Sequence, residues 1–510
     1  MRVRRSLLNF GSMVLSTAVT TVVALWSVPL LQLWLQAERF GAFRVVTAAY
    51  GYLTLLELGL GGALGPLLVR ALDGDDRRAL GATVAAGFRS YLAVTALTLA
   101  VGLAMTPVIP RFAEGLTGAQ VVDLKRAWLL GLVAFLSLPM LPLRSVIEAR
   151  QLGYVVTLLL TLQSLITTAV ALMLAWAGWG ITGQSVAMLA GSLVLNLGLG
   201  VVVRLSHPGL IRAALTAPAD ATTRRAVWGL SLPTFLIHLS GRVSYLTDEL
   251  VVGTILDVRR VNSLYGTQRL AILGQTVLQA VGNAVWAGLA ELHARGDRTT
   301  FNRRLVELSR LVGVLCAVGM GPVVAYNRAF VARWLGHDSV KFTYGGDAVI
   351  VLTAINVYFL AQMSLWIWCF SGTGRVRRVV PIALVGALLN LLASVLLTRW
   401  LGLVGPLLGT TIAVLPVVLW ALPARLHRDF GTPRGLLMGA VAGPFLWGVV
   451  SALGLWFVAR WHAPTTLAGL ALGMGLSALV SLAFSVAVLL TPEEREQWRN
   501  RVHDLRRPRP

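Results

Sequence analysis

His238, Arg242, Tyr245 and Glu249 fall at i, i+4, i+7 and i+11 inside a hydrophobic stretch at about 226–256. On a helix they form one polar stripe down an apolar rod. An ionisable side chain at bilayer depth costs roughly 2.5 kcal/mol or more unless it faces a polar cavity or a partner. Such a stripe points to something polar being moved through the membrane. A second stripe, Asn262, Tyr265, Arg269, Thr276 and Asn283, shares one helix face in the stretch at 261–290. Arg269 sits about 12 Å in from the nearer end at 1.5 Å per residue, deeper than a long side chain easily snorkels. Arg44 lies close to the end of an earlier stretch, where an interfacial anchor and a cavity ligand are equally good readings. Glu57, near the middle of that stretch, lies roughly 140° round from Arg44 on a continuous helix. A mid-membrane carboxylate can be protonated, paired with an arginine or bound to a coupling cation (H+ or Na+), and these alternatives stay open. Asp248, beside Gly241 and Ser244, stands off the Arg242 stripe and is expected to pair with a neighbouring helix.

These residues need an apolar scaffold, and the chain is almost nothing else. Of 510 residues, 56% are hydrophobic and 13% charged. A span needs about 20 apolar residues. Fourteen candidates occur, at approximately 10–35, 42–69, 86–109, 127–147, 153–176, 181–203, 226–256, 261–290, 305–327, 348–370, 379–398, 402–422, 435–458 and 466–490. The fold class expected is therefore an all-α polytopic membrane protein. Phosphate-cradling loops of the nucleotide-hydrolase kind, metal-ligand spacings and serine-nucleophile motifs are not found. No cofactor and no enzymatic activity are expected. Cys316 and Cys369 are too sparse for a disulfide framework.

The net charge of +22 is topology and contact with membrane lipids, not a nucleic-acid footprint. With the amino terminus in the cytoplasm, most Arg and Lys fall in inner connections, whereas Ala177-Gly178-Trp179 between two spans carries none. This is the positive-inside pattern, and it puts both termini on the cytoplasmic side. Trp34, Trp128, Trp176, Trp179, Trp334, Trp400 and Trp461 map near outer span ends, as an aromatic belt would.

The chain also repeats. Gly61, Ala63, Leu68, Asp76 and Arg77 match Gly282, Ala284, Leu289, Asp297 and Arg298 at an offset of 221, and Gly180, Gly183 and Ala187 match Gly402, Gly405 and Gly409 at 222. The unit is six spans. Six is even, so the copies are parallel repeats. The organisation expected is a first lobe at 1–203, a cytoplasmic linker at 204–225, a second lobe at 226–425, two extra spans at 426–490 and a basic amphipathic tail at 491–510. The small-residue patterns serve close helix packing.

The stretch Glu38-Arg-Phe-Gly-Ala-Phe-Arg44 through Glu57-Leu-Gly-Leu-Gly61 resembles the O-antigen type polysaccharide flippases of the multidrug/oligosaccharidyl-lipid/polysaccharide exporter superfamily. Thr247-Asp248-Glu249, Trp334-Leu-Gly336 and Gly402-Leu-Val-Gly405 agree in order. The resemblance implies a protein of the bacterial inner membrane that flips undecaprenyl-diphosphate-linked oligosaccharide by alternating access through a cationic central cavity. By position, Arg44, Arg242 and Arg269 would bind the diphosphate, with Tyr245, Tyr265 and Asn283 on the sugar. Glu57, Asp248, Glu249 and His238 would be charge-pair or coupling residues. The first span carries no acid, a departure from many drug-exporting relatives that leaves the coupling ion open. The rival readings are a drug/cation antiporter on the same fold and a membrane glycan polymerase or ligase.

Overall fold

The computed structural model describes residues 2–73, 77–150, 152–216, 235–237, 239–241, 247–336, 343–461, 464–489 and 495. Among them the regular structure is helical. In order come α1 (Arg2–Leu53), α2 (Leu60–Asp73), α3 (Arg77–Met105), α4 (Gly118–Val133), α5 (Leu141–Ala149), α6 (Gly153–Trp176), α7 (Gly180–Ser206) and α8 (Leu210–Thr216). They are followed by α9 (Val258–Ala294), α10 (Arg298–Trp334), α11 (Asp347–Gly372), α12 (Val380–Leu401), α13 (Val404–Pro416), α14 (Leu422–Phe430), α15 (Arg434–Trp461) and α16 (Leu467–Val488). Residues 217–225 of the linker expected at 204–225, most of the seventh span and, apart from Arg495, the tail at 491–510 lie outside the described residues.

Among the described residues, eleven stretches are long and apolar enough to cross a membrane. One of them, Gly11–Glu57, holds more than one span. The 52 residues of α1 would extend about 78 Å as a single rod, more than twice a hydrocarbon core of about 30 Å. Gln36 breaks the rod with φ 64° and ψ 167°, where the sequence separates 10–35 from 42–69. α9, 37 residues long, occupies the place of the eighth expected span. The polytopic all-helical reading holds.

The second expected span, 42–69, is not continuous. A short 3-10 turn at Thr54–Glu57 ends at Leu58 (φ 55°) and Gly59 (φ 73°), and α2 starts afresh at Leu60. A leucine at positive φ costs conformational energy, which the buried anchors Leu60, Leu64 and Leu68 offset by packing on Tyr91, Val146 and Leu199. The angular separation of Glu57 from Arg44, computed on one helix, therefore does not apply.

Many helices are apolar on every side. α6, α7, α12 and α16 present Leu158, Leu197, Leu392 and Val480 outward. Such faces would drive aggregation in water, but match a lipid solvent. Trp176, Trp179, Trp400 and Trp461 are 54–82% exposed, as belt residues should be. Trp128 and Trp334 are not. Trp128 is fully buried, stacked on Tyr50 at 4.8 Å with its indole N–H donated to the Gly102 carbonyl at 2.9 Å. Trp334 stacks on Phe330. These two are corrected from belt to core, because helix-end position says nothing about which side of the helix faces lipid.

Gly180 and Gly402 both have φ 59° and both precede a closely packed helix. Near the first, Asp123 caps α7, accepting from the Ile181 and Thr182 N–H groups at 2.8 and 3.0 Å and from the Thr182 hydroxyl at 2.5 Å. Near the second, a Cβ on Gly405 would strike the backbone at Thr398, and one on Gly409 would stand 2.5 Å from the Ser394 nitrogen. The small residues are thus packing devices. Asp123→Ala should cost about 1–2 kcal/mol through the lost cap, seen as a thermal midpoint lower by about 2–4 °C per kcal/mol. Asp123→Asn, which keeps an acceptor, should recover much of it.

By packing, the chain divides into two compact units at Asn262/Ser263. In unit 1 the segments 36–44, 112–115 and 253–262 lie together, with the Glu114 N–H donating to Gly253 O and the Val258 N–H to Glu114 O. In unit 2 the segments 293–302, 370–378 and 425–432 lie together. His293, Phe301, Phe370 and Phe430 form an aromatic cluster, Asn302 donates to Phe430 O at 3.2 Å, and Asp429 takes Arg378 and Arg425. Burial, with Arg375 and Arg298 nearby, holds the His293 imidazole below its usual range. Each group consists of connections that the positive-inside pattern assigns to one side of the membrane. In a chain with Cys316 and Cys369 replaced by alanine, a cysteine at Ala177 should react with an impermeant thiol reagent on intact cells. Cysteines at Arg295 or Ser371 should react only after permeabilisation. Labelling of either from outside would reverse the orientation.

Candidate functional site

The charged residues singled out by sequence occupy two settings, one in each unit. In unit 1, α1 meets the segment 247–262 so closely that a Cβ on Gly41 would collide with the Val258 carbonyl. Four side-chain links join these parts. The Arg44 guanidinium donates to Glu249 Oε1 from Nη2 at 2.6 Å and Nε at 3.3 Å. Tyr52 shares a 2.6 Å hydrogen bond with Thr247. Arg259 pairs with Glu38 at 2.8 Å, and Gln32 donates to Asn262 at 2.5 Å.

The Arg44–Glu249 pair is largely shielded, with side chains 25% and 15% exposed. Both arginine nitrogens reach the same oxygen, while Glu249 Oε2 and Asp248 Oδ1 are enclosed without a hydrogen-bond partner. Enclosed carboxylate oxygens normally find partners. Two such oxygens on consecutive residues make this the part of unit 1 best suited to take up a proton or a cation. Asp248 makes no ion pair with a described residue, so the neighbouring-helix partner expected for it is not seen there.

Glu57 stands apart from this cluster at the break between the 3-10 turn and α2. Its Oε1 accepts the Gly61 N–H at 3.2 Å and a short hydrogen bond from the Tyr91 hydroxyl. The carboxylate thereby supplies the freshly started helix with an acceptor that the broken backbone lacks. Of the three alternatives the sequence left for Glu57, an arginine partner is not what the described geometry provides.

In unit 2, Arg269 lies on α9 with its guanidinium 5.5 Å from the ring centre of Tyr265. Its Nε is enclosed without a hydrogen-bond partner, and it forms no ion pair with a described residue. The packed sides of α9 next to it are polar but neutral. The Thr267 hydroxyl receives the Gly345 N–H at 2.9 Å, its carbonyl receives Asn327 at 3.0 Å, and Gln268 donates to Thr353 at 3.3 Å. A cation held over an aromatic ring with its Nε donor unspent is able to take an anion.

Arg242, Tyr245 and His238 lie outside the described residues, and so do the side chains of Thr276 and Asn283. Among the described residues no group of three His, Cys, Asp or Glu side chains is arranged to hold a metal ion.

No protein-family model matches the chain, and no curated protein matches it. Solved structures do match. The chain superposes on a lipid II flippase, MurJ, in an inward closed conformation with a TM-score of 0.70 at 13% identity, over 93% of this chain and 99% of that one. It superposes on a multidrug resistance MATE family transporter of the MOP superfamily in its inward-facing conformation with a TM-score of 0.62 at 15% identity, over 85% and 95% of the two chains. The outward-facing conformation of a MATE family transporter of that superfamily gives 0.60 at 13%, over 88% and 96%. The fold is the one these membrane transporters share.

Several partners escaped the sequence reading. Tyr91 for Glu57, Arg259 for Glu38, Asn262 for Gln32 and Tyr52 for Thr247 link positions 34 to 230 residues apart. None belongs to a local motif. The available signal was weaker: Glu38 and Arg259 are opposite charges at span ends that the topology puts on one side of the membrane.

Proposed function

We propose that the chain flips an undecaprenyl-diphosphate-linked oligosaccharide across a bacterial inner membrane by alternating access through a cationic cavity. The observation that carries this reading is Arg269: a cation on a spanning helix, seated on Tyr265, with no carboxylate among the described residues to neutralise it. A diphosphate is an anion whose planar oxygen pairs suit guanidinium bidentately. Arg44 and Arg242 would complete the anion site, with Arg44 released from Glu249 as substrate enters. Tyr245, Tyr265 and Asn283 would touch sugar hydroxyls. The fold shared with a lipid II flippase is compatible with this and does not choose the substrate.

Drug/cation exchange is the second reading, and one observation favours it: the enclosed, unpartnered oxygens of Asp248 and Glu249 suit a cationic substrate or a coupling H+ or Na+. Deleting the gene in its native host separates the two. Loss of a surface glycan with accumulation of its lipid-linked precursor supports flipping. Normal glycan with hypersensitivity to cationic drugs supports the antiporter.

A further inference from the structure

Unit 2 contains an apolar cavity of about 440 Å³, within the range of roughly 300–1,000 Å³ typical of ligand sites. α10 forms its floor at Cys316, Ala317 and Met320, and α11 and α15 form its walls. The lining positions recur every three to four residues, from Asp347 to Tyr358 on α11 and from Phe445 to Trp456 on α15. It is therefore a groove running along both helices, with a length of about 16 Å at 1.5 Å per residue. Its apolar lining and its length suit an extended hydrocarbon chain. Small residues make the space: Ala354 and Ala452 line the walls, and Gly448 lies so close to the floor that a Cβ would stand 3.2 Å from Ala317. The lips, Val351 and Leu453, are 40% and 55% exposed and apolar.

Charge gathers at one end. Asp347 accepts from Tyr344 at 3.1 Å. One turn beyond Trp456, the exposed Arg460 places its guanidinium 4.2 Å from the Trp456 ring centre and forms no ion pair with a described residue. Tryptophan and arginine at a helix end mark the level of lipid headgroups. The groove descends from that level by about 16 Å, the depth of one leaflet in a hydrocarbon core of about 30 Å.

We propose that this groove is a binding site for one acyl chain of an anionic phospholipid, with its phosphate on Arg460. The depth of a single leaflet selects a bilayer lipid over a longer polyprenyl chain. At the mouth the Asp347 carboxylate is held by the Tyr344 hydroxyl, while the exposed Arg460 guanidinium is the group that would take the phosphate. The inference rests on the packing of unit 2 and is independent of the substrate the protein carries.

The test uses the full-length protein in phosphatidylcholine nanodiscs with a trace of phosphatidylglycerol bearing a diazirine on one acyl chain. Mass spectrometry then maps the photocrosslinks. Peptides spanning 348–355 and 449–453 should label at least fivefold more than Leu479 and Val480, which face bulk lipid. Ala354→Phe and Ala452→Phe should each remove that excess at an unchanged thermal midpoint. Arg460→Gln should weaken labelling severalfold. Should Ala354→Phe fail to fold, the half-buried Ala452 position decides. Excess unlabelled phosphatidylglycerol should compete. Labelling equal to that at Leu479, labelling indifferent to the filling substitutions, or competition by undecaprenyl diphosphate but not phosphatidylglycerol would each overturn the assignment.

Discussion

Arg269→Ala is expected to abolish surface glycan in a complementation assay while the protein accumulates in the membrane at near-normal levels. The reason lies in what Arg269 does not do. Among the described residues its side chain contacts the Tyr265 ring and pairs with no carboxylate, so removing it breaks no ion pair there and leaves no orphaned carboxylate. A structural arginine would behave in the opposite way. The loss in transport should be about ten- to a hundredfold, corresponding to the roughly 1.5–3 kcal/mol carried by a hydrogen bond to a charged group. Arg269→Lys should restore a minor part, since an ammonium is a point charge and cannot grip a diphosphate with a planar fork. Normal glycan from the alanine variant would remove Arg269 from the anion site.

Arg44→Ala should act differently, by lowering the amount of folded protein. It strips Glu249 of its described ion-pair partner, in a setting where the carboxylate is 15% exposed and already has one enclosed oxygen. Breaking a buried pair costs about 3–5 kcal/mol, and the partial exposure of Arg44 puts the expected loss toward the lower end. Glu249→Gln should be milder, because the amide keeps an acceptor for the guanidinium. The charge-exchanged pair Arg44→Glu with Glu249→Arg separates folding from binding. It should regain membrane abundance and still fail to transport, since the cation no longer sits on α1. Full transport by the exchanged pair would reduce Arg44 to a structural role.

The sequence made the spans legible because hydrophobic length and charge asymmetry are local properties, and a lipid solvent enforces both. Gly153–Trp176 is found where it was read, and the reversal at Gln36 falls in the gap between the first two stretches. Gly180 and Gly402, which the sequence pairs at an offset of 222, share a positive φ of 59°. Side-chain direction was not legible. Trp128 was read as interfacial from its position along a helix, yet it turns inward onto Tyr50. The break after Glu57 was hidden because leucine at Leu58 gives no warning of positive φ; only Gly59 beside it hints at a turn. The Arg44–Glu249 pair spans 205 residues, beyond any helical wheel, so the sequence could name both charges without joining them.

The central claim is that this chain moves a lipid-linked diphosphate saccharide across a bilayer. The most direct measurement reconstitutes the purified protein in liposomes holding a fluorescent undecaprenyl-diphosphate oligosaccharide and follows the fluorescence accessible to an impermeant quencher. With substrate initially in both leaflets, flipping predicts that the protein allows the quenchable fraction to rise from about half toward completeness, and that Arg269→Ala slows this at least tenfold. A quenchable fraction that stays at its protein-free value, in liposomes where the same protein exchanges cationic dyes for protons, would contradict the account.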